Sequence, residues 1–247
     1  MVREGLAASR SRAQALIRSG RVLVDDVPVD KPGTRVAEAA SLRVRGADAA
    51  FVSRGGEKLR GALDALGLDP RGARCLDVGA STGGFTDCLL QAGAAHVVSV
   101  DVGYGQLALA LRRDPRVTVL ERTHGARLTR DQVPGPIEWV TVDVSFISAT
   151  RILERLPEVA PGARVLVLVK PQFEVGRERV GKGGVVRDEA DRRAAVAAVA
   201  AAGRALGYRV AGEAASPLAG PRGNREVFLH LVPAGGLPGD PELAPPG

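Results

Sequence analysis

The chain has 247 residues, with 34 Lys+Arg against 28 Asp+Glu and a formal net charge of +6. At ~150 residues per domain the length allows one full domain with a smaller module, and 45% hydrophobic with 25% charged residues is a globular composition that excludes disorder as the main state. Only eight aromatics argue against an aromatic-platform nucleic-acid binder; two cysteines, Cys75 and Cys88, exclude a disulfide framework or Cys-rich zinc site; and no apolar run approaches the ~18 residues of a membrane span, so the expected location is the cytoplasm.

Ser9 is a candidate N-cap for a helix over Arg10–Ser19, with Ala13, Leu16 and Ile17 on its apolar face and Gly20 as its stop. Short extended pieces follow at Arg21–Val24, Val27–Val29 and Ser41–Arg45, with Asp25-Asp26 as a turn. Residues 1–24 hold five Arg against one Glu. Arg10, Arg12, Arg18 and Arg21, on or beside one helix, therefore form a candidate footprint for phosphate; a solvated helical face fits the charge equally well.

From residue 51 the pattern becomes alternating helix and strand. Gly56–Leu68 suits a helix with Leu59, Leu63 and Leu66 inward. Strands are expected at Arg74–Val78, Val97–Asp101, Val117–Leu120, Trp139–Asp143, Val165–Lys170, Arg209–Glu213 and Glu226–Val232. Helices are expected at Phe85–Ala92, Leu107–Arg112, Ser148–Leu156 and Asp188–Leu206. Short apolar strands alternating with helices predict an α/β fold: a seven-stranded, mostly parallel, Rossmann-like sheet with helices on both faces, preceded by a small α+β module. The expected boundaries are 1–47 for the module, 48–54 for a linker, 55–233 for the main domain and 234–247 for a disordered, Gly/Pro-rich tail.

Asp77-Val78-Gly79-Ala80-Ser81-Thr82-Gly83-Gly84-Phe85 is a strand entering a Gly/Ser turn and then a helix. Glycines there let a backbone approach a ligand closely. Asp101, ending the next strand and followed by Val102, can accept both hydroxyls of a ribose. The turn is neither GxGxxG, since Ser81 takes the second glycine position, nor a P-loop, since it lacks the Lys. It resembles the first motif of S-adenosylmethionine-dependent methyltransferases, a family in which the first acid faces the methionine end of the cofactor. Asp77, residues 79 to 85, Asp101, Val102 and Asp143 are therefore the candidate cofactor residues.

Lysine occurs only four times, at Lys31, Lys58, Lys170 and Lys182. Arginine stays protonated and cannot act as a base, so each lysine merits attention. Lys170 follows five apolar residues and Asp143 follows Val142, so both stand at strand ends where an open α/β sheet binds its ligands. A partly desolvated lysine can take a proton from a hydroxyl; a structural Lys–Asp ion pair is the plainer reading. Lys58 and Glu226 are candidates to complete the group.

The blocks Phe51–Leu59, Asp77–Phe85, Asp101–Leu107, Asp143–Ser148, Lys170–Glu174 and Gly223–Glu226 closely resemble the TlyA family of ribosomal-RNA 2′-O-methyltransferases, some of which also carry the name hemolysin. That resemblance covers nearly the whole chain outside the tail. It implies an S4 RNA-binding domain before an FtsJ-like methyltransferase domain, S-adenosylmethionine as cofactor, ribosomal RNA or ribosomal subunits as partner, and no metal. It also implies a Lys58–Asp143–Lys170–Glu226 tetrad in which Lys170 activates a ribose 2′-hydroxyl, of cytidine, in the small or large subunit RNA or both. Two segments depart from the family pattern. Met1–Gly5 stands where S4 domains usually carry an Arg-Leu-Asp segment, so the first turn reads as shortened, and Thr123–Arg127 carries His124, read as a loop residue.

Arg54 and Lys182, the latter in a basic glycine loop after the Lys170 strand, are further candidate RNA contacts. His96, His230, Cys75 and Cys88 read as structural. A non-catalytic RNA-binding ribosome factor and a membrane-active hemolysin remain as other readings, and the oligomeric state stays open between a monomer and a weak homodimer.

Overall fold

The computed structural model describes residues 1–4, 6–7, 9–25, 27–37, 40–44, 50–220 and 222–236. The chain divides into two units, residues 1–50 and 51–247. Of the expected features, Asp26, Arg45, residues 48–49 and tail residues 237–247 lie outside the described residues.

In the first unit the Ser9 side chain accepts the Arg12 N–H and opens α1 (Arg10–Arg18), satisfying one of the free donors of its first turn. Gly20, at φ +67°, turns the chain out of the helix. Strands β1 (Val22–Val24), β2 (Val27–Val29) and β3 (Leu42–Val44) form an antiparallel sheet in the order β2-β1-β3. Pro28, which has no N–H to donate, lies on an edge strand as it must. The core is small, centred on Ala7, Ala13, Leu16 and Val22.

The second unit begins with Phe51 rather than with a linker. Phe51 is buried, Val52 donates its N–H to Asp87, and Ser53 caps α2 (Arg54–Leu66). The expected linker over 48–54 is thus corrected for residues 51–54, because the Phe51 ring packs where a Cβ on Gly56 would sit. A seven-stranded sheet follows, built of β4 (Arg74–Val78), β5 (His96–Val100), β6 (Val117–Leu120), β7 (Trp139–Val142), β8 (Arg164–Val169), β9 (Tyr208–Ala215) and β10 (Val227–Pro233). Its order is β6-β5-β4-β7-β8-β10-β9, with β10 antiparallel to both neighbours and the β4, β5, β6, β7 and β8 pairings parallel.

The apolar runs are explained by burial on both faces. In β8, Val165, Val167 and Val169 join one core while Leu166 and Leu168 join the other. Helices α2, α3 (Gly84–Gln91) and α4 (Leu109–Arg112) cover one face; α5 (Thr150–Leu153), α6 (Leu156–Val159) and α8 (Glu189–Ala205) cover the other. Between them, α7 (Pro171–Glu174) begins with a proline at its first position, where the missing N–H is not needed. The single helix expected over Ser148–Leu156 is two short ones, since Pro157 has no N–H to bond back to the Leu153 carbonyl and instead sits in the first turn of the second helix. Strand order reverses beside β4, and the carboxyl ends of β4, β7 and β8 open onto one side.

Candidate active site

Three positive φ angles shape the turn after β4: Gly79 at +93°, Ser81 at +50° and Gly83 at +97°. A Cβ at Gly79 would lie 2.4 Å from the Asp143 carbonyl oxygen, so the turn touches the end of β7 backbone to backbone. A Cβ at Gly84 would lie 2.2 Å from Ser53 Oγ, so α3 and the start of α2 also need a residue without a side chain between them. That close approach brings Lys58, one turn into α2, to the same side as the turn.

All four tetrad candidates line one cavity of about 730 Å³. Lys58 Nζ donates to Glu226 Oε2 at 2.5 Å, both side chains being buried. Lys170 Nζ lies 2.6 Å from Asp143 Oδ1 as an ion pair and donates to Ser145 Oγ at 3.0 Å. Gly79, Ala80, Ser81, Thr82, Gly84 and Phe85 line the same cavity, as does Arg54, whose Nη2 also donates to the Ala219 carbonyl. Asp143 Oδ1, Glu226 Oε1 and Gln172 Oε1 are buried without an aligned hydrogen-bond donor. Glu226 Oε1 and Gln172 Oε1, with no partner, and Asp143 Oδ1, which meets only the Lys170 ammonium, line the cavity and fit ligands that bring ammonium or hydroxyl donors.

Four expected cofactor residues stand elsewhere. Asp77 is fully buried beneath the turn rather than facing the cavity. Its Oδ2 accepts from Thr86 Oγ1 at 2.7 Å and its Oδ1 from Thr141 Oγ1 at 3.0 Å. Burial pushes this carboxyl up to about 7, against the opposing pull of the two hydroxyl donors. Gly83 is packed against Leu107 and Leu111. Asp101 sits beside the turn, where Oδ2 accepts the Ser81 N–H and Oδ1 the Gly103 N–H; each oxygen keeps a lone pair for a hydroxyl. Val102 is exposed next to it.

Of the expected RNA contacts, Arg10, Arg12 and Arg18 are exposed on α1 and Arg21 is half-buried after it, all in the first unit. Lys182 is exposed in a tight hairpin closed by a Gly181–Val185 bridge. His124 is exposed and its Nδ1 accepts the Ala126 N–H. His96 bonds Thr118, and His230 stacks on Trp139 at 6.1 Å.

Sequence reasoning missed two contributors. Phe146, 88% exposed at φ +69°, packs 5.5 Å from Phe173, and both rings line the cavity. The preceding Ser145 and the Glu174 carboxylate hold that segment: Glu174 accepts from Ser148 Oγ at 2.5 Å and from the Ala149 N–H at 2.8 Å. Asn224, 2% exposed, accepts the Val186 N–H and donates to the Gly184 carbonyl, pinning the hairpin beside the cavity.

Residues 51–232 match the FtsJ-like methyltransferase family and residues 1–40 the S4 domain. The 16S/23S rRNA (cytidine-2′-O)-methyltransferase TlyA of Mycobacterium tuberculosis is 52% identical over 94% of this chain and 87% of its own length. Hemolysin A of Brachyspira hyodysenteriae is 37% identical over 93% of this chain and 96% of its own. A solved structure from Streptococcus thermophilus, described as a hemolysin, superposes with a TM-score of 0.76 at 36% identity, covering 97% of this chain and 89% of the other.

Proposed function

The chain belongs to the TlyA family, an S4 domain followed by an FtsJ-like methyltransferase domain, and from that membership we propose that it is a cytoplasmic enzyme that methylates a ribose 2′-hydroxyl, of cytidine, in ribosomal RNA. The observation that carries this reading is the convergence of Lys58, Asp143, Lys170 and Glu226 with the glycine turn on one cavity.

Residues 79–85 would hold S-adenosylmethionine with Asp101 at its ribose, and when bound it would supply an electrophilic methyl group on a sulfonium. In its neutral form Lys170 Nζ takes the proton that the 2′-hydroxyl gives up as the oxygen–methyl bond forms and the sulfur–methyl bond breaks. Asp143, 2.6 Å away, stabilises the ammonium so formed, and Ser145 holds the amine in line. Lys58 and Glu226 fix the opposite wall, and their rigidity keeps the reacting atoms aligned. Phe146 and Phe173 at the mouth offer an aromatic face to a base turned out of its stack. Arg10, Arg12, Arg18 and Arg21 of the S4 domain, with Arg54 and Lys182, bind phosphate.

Incubating the protein with assembled small and large subunits and methyl-labelled cofactor, then mapping 2′-O-methyl groups on both RNAs, tests the reading. Stoichiometric label at a ribose of a cytidine is expected. Absence of label from both RNAs, with cofactor bound, would instead favour a non-catalytic RNA-binding factor.

A further inference from the structure

Three acids near the cavity sit in different company: buried Glu226 has Lys58, half-buried Glu174 has a hydroxyl and an N–H, and fully buried Asp77 has the Thr86 and Thr141 hydroxyls with the Thr86 N–H. Ser99 Oγ lies 2.8 Å from Thr86 Oγ1, so with Thr86 donating to Asp77 the chain of donors runs Ser99 to Thr86 to Asp77, and Thr141 closes it from the other side. This chain ties α3, β5 and β7 to β4 directly under the turn. No described cation pairs with Asp77. The titratable groups around it are Cys75 on its own strand and Cys88 on α3, both thiols pushed up to about 12 and so neutral, and Asp143 at the end of β7, a like charge. β5 and β7 present only the Ser99 and Thr141 hydroxyls to it.

We propose that Asp77 is a positioning residue whose ionised carboxylate, acting through the turn it underpins and through the field in the cavity, makes the site prefer a cationic sulfonium ligand over the neutral thioether that remains after methyl loss. This deepens the cofactor reading above and rests on it. The methyl-bearing sulfur must come within in-line reach of an oxygen held by Lys170 and Asp143, so its positive charge sits beside Asp143. Asp77 lies close enough to Asp143 for that charge to raise its own affinity for a proton. A cation arriving there reverses the effect and favours the ionised form of Asp77. Binding and proton release are then linked, and the linkage vanishes once the charge has gone. With the carboxyl pushed up to about 7 by burial, the coupling operates around neutral pH.

The test is calorimetric titration of the full chain with S-adenosylmethionine and with S-adenosylhomocysteine from pH 6 to 8.5, for wild type and Asp77→Asn. The sulfonium lowers the pKa of its own amino group, but this titration is the same for both proteins, so the comparison of wild type with Asp77→Asn isolates the carboxylate. In wild type the preference for the sulfonium should rise several-fold, up to about tenfold, with pH, and binding should release a proton only for the sulfonium. In Asp77→Asn the part of that rise due to the carboxylate should be gone, leaving only the ligands' own titration. Thr86→Val, which keeps the carboxylate but removes a donor that favours its ionised form, should move the midpoint to higher pH; it serves as the decisive variant should Asp77→Asn fail to fold. A wild-type ratio that ignores pH, or one that varies equally in Asp77→Asn, or an unmoved midpoint in Thr86→Val, overturns the proposal alone. Failure of wild type to bind either ligand overturns the cofactor reading and this inference with it.

Discussion

Lys58–Glu226 and Lys170–Asp143 are the same chemical pair at nearly the same separation, 2.5 and 2.6 Å, yet their surroundings differ. The first joins the middle of a helix to the start of a strand, and its carboxylate side chain is 1% exposed. The second joins two strand ends, its carboxylate is 21% exposed, and the lysine has Ser145 as an alternative partner. A buried charge pair resists change because losing either partner strands the other in a medium that solvates it poorly. A pair at the edge of the sheet, with a partly exposed carboxylate and a second acceptor in Ser145, can rearrange at lower cost. Proximity alone therefore does not assign roles: the two amines are equally buried, and it is the exposure of the carboxylate and the second acceptor, Ser145, that separate the strand-end pair from the anchor.

The largest effect should come from the pair at the strand ends. Lys170→Arg keeps the positive charge but cannot release a proton, so methyl transfer to rRNA should fall by about 10²–10⁴-fold. Cofactor affinity measured by calorimetry should stay close to wild type. Near-normal turnover of this variant would remove Lys170 from the role of base and collapse the distinction between the two pairs.

Lys58→Met examines the anchor. Leaving Glu226 buried without its cation should cost about 3–5 kcal/mol of unfolding free energy in urea. Adding Glu226→Gln in the same chain should restore much of that loss, because the stranded charge is gone, though not the activity. Equal stability of wild type and Lys58→Met would mean that the pair is not the anchor its burial suggests.

Those two lysines also show what the sequence could and could not reveal. Lys170 is legible from the chain itself, since five apolar residues lead straight into it and a parallel strand buried on both faces has to end somewhere. Lys58 is less so: it lies on the buried side of an amphipathic helix, so the scarcity of lysine raised it only as a candidate, and the resemblance of Phe51–Leu59 to a known block gave it a role. Strand positions were readable within a residue or so at most ends, because short apolar runs bounded by polar residues suit a strand covered on both faces and little else. The helix break at Pro157 and the four-residue α7 were not read, since such short helices carry too little periodicity. Asp77 was misplaced for a related reason. In a strand with both faces covered, an acid near the carboxyl end can face a ligand or turn under the loop, and the choice was made by Thr86 and Thr141, unremarkable residues 9 and 64 positions away. Phe146 escaped because exposure at a backbone of φ +69° leaves no mark on composition or spacing.

Gly79→Ala presses on one pair while sparing the other. An added Cβ would meet the Asp143 carbonyl at 2.4 Å, and φ +93° is strained for any L side chain. The cost should be about 1–3 kcal/mol in stability. Because the strain falls on the strand end that carries Asp143, kcat should drop, whereas the Lys58–Glu226 anchor, on the other wall, should keep its contribution. The cycle formed by Gly79→Ala and Lys58→Met should therefore be additive in stability. Strong coupling between them would show that the two pairs act as one unit.

The smallest effect concerns the acid that has no lysine. Asp77 is raised from 3.8 to about 7 by burial, so the folded state holds a proton that the unfolded chain has already lost. Its stabilising contribution is full below pH ~4 and disappears as pH rises through about 7. His230 works the other way: burial, with Arg164 and Arg209 adding to it, lowers its ring from 6.5 to about 4. Its contribution is present above pH 6.5 and is lost as pH falls toward 4. In ligand-free wild type the two slopes oppose each other between pH 4.5 and 7.5. Asp77→Asn should remove one of them, so its melting temperature, measured relative to wild type, should climb by a few degrees across that interval. His230→Phe should show the reverse trend, gaining on wild type as the pH falls. A pH-independent difference for Asp77→Asn would mean that its hydroxyl donors hold the carboxylate ionised throughout, and a buried acid here would then need neither a lysine nor a proton.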